Sequence, residues 1–301
     1  MKVTVLGSQG AIPKVGLFSS SLLLNVSSTN ILIDCCEGAQ FQLRKNKIKL
    51  SKIEIILISH AHGDHYFGLI GLISTLSLMK RNKKLTLFCP LSVLKIVQAH
   101  LKFSKMNLSY ELEMKVLNNQ SRIKILENNQ FSIYAFPLKH SIYTNGFLIK
   151  EKEKKRKLIL EKALEKNIDK IYYNKLTKKE NVINNDGVEI DYKDVTKPGE
   201  KPKAFAYCSD TAYFDELINY IKGVDLLYCE TTFLEKDKDK ASLTLHSTST
   251  DAATLAKKGK VKKLLIGHFS SRYDDNNDFI AEVAGIFENV IISEEGKKID
   301  V

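Results

Sequence analysis

The sequence predicts an α/β protein, and three observations lead there. Short β-branched or aromatic runs, such as residues 53–58 and 131–137, read as strands with apolar side chains on both faces. Stretches of helical spacing at 68–79 and 92–103 lie between them. The predicted strands also end on ionisable residues: His60 follows 53–59, Asp210 follows 204–209, Glu230 follows 225–229 and His268 follows 264–267, as if at one edge of a sheet.

In chain order, residues 3–6, 20–26 and 30–33 predict strands. Residues 7–13 carry two glycines but no GKS/T or GxGxxG phosphate pattern, so they are expected to wall a cleft. Residues 34–40 close a strand and open a helix running to about Lys45; Asp34 is either its cap or a support for a metal-binding histidine. The run at 53–59 then delivers His60-Ala61-His62-Gly63-Asp64-His65 to a loop, where side chains one or two positions apart can converge, and a helix is expected from Tyr66. Strands follow at 85–89, 110–117, 122–126 and 131–137, the last bringing His140 just past its end. His100, in the amphipathic helix at 92–103, reads as structural. The Ser/Thr cluster 247–250 reads as the cap of a helix at 252–258, with His246 at its mouth.

With 301 residues, 44% of them apolar, the chain can bury a large core, and it is expected to form one domain spanning 1–301. An arm is expected to interrupt it at about 150–203, where 16 Lys/Arg stand against 11 Asp/Glu and two lysine-rich helical pieces lie around 157–166 and 172–179. No stretch approaches the roughly 18 apolar residues of a membrane span, and the N-terminus begins as a strand in place of a signal peptide, so a cytoplasmic protein is expected. Five cysteines without a CxxC pair fit free thiols. A net charge of +11 suits a polyanionic partner, but 41 lysines against five arginines, spread along the chain, reflect composition as much as function.

Together His60, His62, Asp64, His65, His140, Asp210 and His268 make seven potential ligands at or just beyond strand ends. One zinc takes about four ligands, so seven suit two ions, and Asp210 is the natural bridge because a carboxylate has two oxygens to share. Two such ions about 3.5 to 4 Å apart can hold a hydroxide between them.

The histidine motif, with 34–40, Glu230-Thr231-Thr232, His246-Ser247-Thr248 and 268–273, resembles the metallo-β-lactamase superfamily and, within it, short-form ribonuclease Z, the tRNA 3′-processing endonuclease, over essentially the whole chain. Cys36 stands where that family usually has glycine, and the arm lacks its frequent Gly-Pro element, with 168–173 in that region. The resemblance implies a four-layer αβ/βα sandwich with an inserted basic substrate-binding arm. It implies two Zn2+ per chain, one on His60, His62 and His140, the other on Asp64, His65 and His268, with Asp210 bridging. It further implies Asp64 as proton acceptor, His246 oriented by Glu230 as proton donor, a tRNA precursor as substrate and a homodimer. Arg272 is either a phosphate contact or a structural ion pair. The rival readings are a phosphodiesterase or arylsulfatase-like hydrolase of small substrates on the same scaffold and an RNA-binding protein that has lost catalysis.

Overall fold

The structure, a computed structural model, describes residues 1–301. Its strands are β1 (Lys2–Gly7), β2 (Ser21–Val26), β3 (Thr29–Ile33), β4 (Ile53–Leu57), β5 (Leu85–Pro90), β6 (Leu112–Leu117), β7 (Ile123–Glu127), β8 (Phe131–Pro137) and β9 (Asn145–Glu151). Four two-residue strands follow: β10 (Lys157–Leu158), β11 (Val182–Ile183), β12 (Glu189–Ile190) and β13 (Thr196–Lys197). The chain closes with β14 (Ala204–Cys208), β15 (Leu226–Glu230), β16 (Leu264–Gly267), β17 (Val290–Ile292) and β18 (Lys298–Asp300).

The residues divide into two compact units. The larger comprises 1–127, 131–150 and 203–301, and the smaller 128–130 and 151–202. In the larger unit two seven-stranded sheets run in the orders β18-β1-β2-β3-β4-β5-β6 and β17-β16-β15-β14-β9-β8-β7. Within the first, β3 to β6 are parallel, and within the second β14 to β17 are parallel.

Side-chain alternation explains the layering, because successive residues of a strand face opposite sides. Leu22, Leu24, Ile31 and Ile33 join Phe147, Phe205, Tyr207 and Tyr228 in a core between the sheets. Leu23, Leu32 and Ile56 point the other way, onto helices Ala39–Lys45, Gly68–Leu78 and Leu91–Phe103. Ala206, Cys208, Leu227 and Cys229 likewise pack on helices Leu217–Ile221, Ser249–Lys258 and Asn277–Ala284. Strands covered on both faces need apolar residues at nearly every position, so they read in sequence as continuous runs. The result is the four-layer αβ/βα sandwich.

The smaller unit has its own core of Ala163, Ile168, Leu176, Val182, Ile190 and Val195, with helices at Leu160–Glu165 and Tyr173–Thr177. Residues 157–158, expected to be helical, pair instead with β13.

Two further expectations change. Residues 145–151 were not expected to form a strand, yet β9 pairs antiparallel with β14 at the middle of its sheet. Asp34 does not cap the first helix, whose N-cap is Gly38. The Ser/Thr cluster does cap helix Ser249–Lys258: Thr248 and Asp251 form a reciprocal capping box. All five cysteines are buried and free, and no helix is long and apolar enough to cross a membrane.

Candidate metal centre

Both sheets send their strand ends to one place. Beyond β4, His60 and His62 lie two residues apart, and their imidazoles converge, with His60 Nε2 3.0 Å from His62 Nδ1. Asp64 and His65 are not in a loop as the spacing suggested, but in a one-turn helix, Gly63–Tyr66. That turn is docked on the chain beyond β3: the Cys35 N–H donates to His65 O at 2.7 Å and the Gly68 N–H to Cys35 O at 3.0 Å. Only glycine fits at 68, because a Cβ there would fall 2.0 Å from the Cys36 carbonyl oxygen. From the second sheet come His140 beyond β8, Asp210 beyond β14 and His268 beyond β16. Hydroxyls of Ser209 and Ser59, 3.1 Å apart, join the ends of β14 and β4.

The seven residues form two adjoining groups. His60 Nε2 and His140 Nε2 lie 3.0 and 3.3 Å from His62 Nδ1, and 3.6 and 3.8 Å from Asp210 Oδ2. His65 Nε2 lies 3.2 Å from Asp64 Oδ2 and 3.3 Å from Asp210 Oδ1, while His268 Nε2 is 3.5 and 3.4 Å from the same two oxygens. Asp210 therefore gives one carboxylate oxygen to each group.

These donors fit divalent metal. A tetrahedral ion about 2.0 to 2.1 Å from its ligands holds them about 3.3 Å apart, within the range observed. Asp64 Oδ2, His65 Nε2 and His268 Nε2 are buried without a hydrogen-bond partner, an arrangement that a shared cation answers. Electrostatics point the same way. Burial, foremost, holds His60, His62 and His140 below the usual imidazole value, leaving their lone pairs free. Burial alone would raise Asp64 and Asp210, but the neighbouring imidazoles outweigh it and keep both ionised. Burial also opposes charge on His65, yet Asp210, Asp64 and Asp34 push it well above its usual value. Three carboxylates around one imidazole require positive charge, from a proton or from a metal ion.

The outward ring nitrogens are held as well. His140 Nδ1 donates to Leu245 O at 3.0 Å and His65 Nδ1 to Asp34 Oδ2 at 2.8 Å, which fixes the tautomers with Nε2 free. Ser59 Oγ is 2.9 Å from His60 Nδ1, and Thr232 Oγ1 is 2.8 Å from His268 Nδ1. Asp34 is itself buried, accepting from the Ser59 N–H and hydroxyl and from the Tyr207 hydroxyl at 2.7 Å. No sequence pattern marked Ser59, Tyr207 or Thr232 for these supporting positions.

Beside these two donor groups, His246 Nδ1 lies 2.8 Å from Glu230 Oε1. Glu230 is buried at the end of β15 and also accepts from the N–H groups of Thr211, Thr232 and Ser247. Burial opposes its charge, but the His246 imidazole outweighs it and holds the carboxyl below its usual value. For His246 burial works against charge and Glu230 prevails, raising it to about 9. A cleft of about 600 Å³ opens over both features, lined by Asp64, Asp210, His246 and His268, with Gly10, Ala11 and Ile12 on one wall as expected. Arg272 lies at the rim, its guanidinium 4.9 Å from the ring centre of Phe233, with Nε donating to Ser270 Oγ and Nη1 4.0 Å from Asp237.

The chain is 36% identical over 299 residues to a ribonuclease Z of Parabacteroides distasonis, covering 99% of this chain and 98% of that one. A ribonuclease Z of Cytophaga hutchinsonii is 40% identical over 293 residues, 97% and 93% of the two chains. The chain belongs to the ribonuclease Z family. Residues 1–184 also match the family model described as Anti-Pycsar protein Apyc1, more than half of the chain, and place it in that family too. Among solved structures, the short form of human tRNase Z superposes with a TM-score of 0.72 at 24% identity, covering 100% of this chain and 99% of that one. The metallo-β-lactamase fold protein YhfI of Bacillus subtilis superposes at 0.69 and 18% identity, covering 99% and 98%. The metallo-β-lactamase fold is thus shared beyond the ribonuclease Z family.

Asp34→Asn keeps the size of the side chain but removes the charge behind His65. Affinity for zinc, titrated against a chromophoric chelator, is expected to fall roughly 10- to 100-fold. Unchanged affinity would show that Asp34 has no part in holding the ligand.

Proposed function

We propose that the chain is a zinc-dependent endoribonuclease that removes the 3′ trailer from tRNA precursors, leaving a 3′-hydroxyl on the tRNA and a 5′-phosphate on the trailer. The observation that carries this reading is one cleft lined by two donor groups sharing Asp210 and by the Glu230–His246 pair, in a chain of the ribonuclease Z family. In this reading His60, His62, His140 and Asp210 would hold one zinc, and Asp64, His65, His268 and Asp210 the other. When bound, two such ions lower the pKa of water and neutralise charge building on the phosphoryl group.

The chain's own residues supply the proton transfers. Asp64, kept ionised and facing the cleft, accepts the proton of the attacking water. His246 gives a proton from Nε2 to the departing 3′ oxygen, because its Nδ1 is committed to Glu230. Glu230 cannot swing away, since backbone N–H groups hold both of its oxygens. In this reading Arg272 leaves its contacts with Asp237 and Ser270 to meet a substrate phosphate. The protein works in the cytoplasm as a homodimer, the arm of one subunit gripping tRNA held at its partner's site. Free thiols such as its five cysteines fit that compartment.

His246→Ala separates proton transfer from metal binding. Zinc content should be unchanged while cleavage of a tRNA precursor with a 3′ trailer slows roughly 10² to 10⁴-fold, the scale of a lost general acid. Loss of metal together with activity would remove His246 from that role.

Replacing residues 151–196 with a short flexible linker tests the arm and the dimer together. Precursor cleavage should be lost, and a small aryl phosphodiester, which needs no arm, should still be hydrolysed. Mixing the shortened subunit with an Asp64→Ala subunit should restore precursor cleavage, since each mixed dimer joins an intact site to an intact arm. Full activity of the shortened protein alone would make the arm inert, and failure of the mixture to recover would refute service across the dimer. Wild-type protein that cleaves the small diester but never the precursor would favour the rival hydrolase.

A further inference from the structure

A second cleft of about 580 Å³ adjoins the first, and His246 lines both. Its walls include Lys139, Lys238, Tyr213, Ser242 and Asp251. Lys139 precedes the ligand His140, and its backbone N–H donates to Thr211 Oγ1 at 3.1 Å, which pins the lysine to the segment following Asp210. Its ammonium has no carboxylate within ion-pair distance, whereas Lys238 is paired with Glu235 at 2.8 Å. Asp251, the acid on this wall, turns its carboxylate to the N–H of Thr248. The cleft thus offers one uncommitted cation beside the proton donor.

We infer that this second cleft receives the nucleotide immediately upstream of the cut, with Lys139 bound to that nucleotide's own 5′-phosphate. The inference rests on the functional reading above and adds a direction to it. In the cleavage step the oxygen of water forms a bond to phosphorus and its proton passes to Asp64. The bond from phosphorus to the 3′ oxygen breaks, and that oxygen takes the proton from His246 Nε2. The leaving 3′ oxygen belongs to the upstream nucleotide, so this nucleotide must stand on the His246 side of the phosphorus, away from Asp64. The second cleft, which His246 also lines, offers such a space. A nucleotide placed in it carries its 5′-phosphate one sugar further on, where a free ammonium stabilises the dianionic stretch of backbone.

The test is a cycle between Lys139 and that phosphate. Precursors are made with a neutral methylphosphonate one position upstream of the cut or, as a control, one position downstream. With wild-type protein the upstream replacement should lower kcat/KM roughly tenfold, the scale of one charge-assisted hydrogen bond, and the downstream replacement should cost less. Lys139→Ala should show a similar loss on the normal precursor and little further loss on the upstream analogue, and Lys139→Arg should regain sensitivity to the upstream charge. Losses that multiply independently, or coupling of Lys139 to the downstream position, would overturn the assignment while leaving the nuclease reading intact. Wild-type protein that left the normal precursor uncut would overturn the nuclease reading and this inference with it.

Discussion

The carboxylate of Asp210 is the constraint on which the rest of the site depends. It is only 3% exposed at the end of β14, and its two oxygens are divided between two sets of nitrogen and oxygen donors. A buried carboxylate is tolerable only where positive charge compensates it, and here Asp34 and Asp64 add two more around His65. The two sheets must therefore keep their strand ends in register to within a fraction of an ångström. They do so through direct links: Ser59 to Ser209, the Tyr207 hydroxyl to Asp34, and the paired N–H to O bonds between Gly10 and Phe269 and between Phe269 and Ser8.

Three of the ten non-glycine residues with positive φ lie at the site. Asp34, Leu245 and His268 all have positive φ, at 53°, 58° and 63°, a region that side chains other than glycine rarely adopt. Each is tied to the site: Asp34 supports His65, the Leu245 carbonyl orients His140, and His268 is a donor itself. Such strain persists where surrounding contacts overdetermine the geometry, and here the surrounding strands are apolar on both faces and well packed. Glu230 is anchored to backbone N–H groups and so holds His246 without moving.

Much of the fold was legible because parallel strands covered on both faces need nearly unbroken apolar runs. Residues 53–58 and 264–267 are of that kind, and the ionisable residue after each run marked a strand end. β9 escaped because it opens with Asn145-Gly146 and ends with Lys150-Glu151 beside the lysine-rich arm, so only Phe147, Leu148 and Ile149 read as apolar. Gly146 has a packing reason instead: a Cβ there would lie 2.2 Å from the Phe136 ring. The clustered residues were visible because His60, His62 and His65 stand at short spacing and His140, Asp210 and His268 each follow a predicted strand. Their supports were not, since Tyr207 meets Asp34 across 173 positions of sequence, and a serine or threonine in a strand end looks the same whether or not an imidazole lies behind it.

Two metal ions sharing the carboxylate of Asp210 are the central expectation for this site. Elemental analysis of the purified protein after equilibration with zinc and removal of excess ion measures this directly. About two zinc ions per chain are expected in the wild type and fewer in Asp210→Ala. One ion per chain, unchanged by Asp210→Ala, would contradict it.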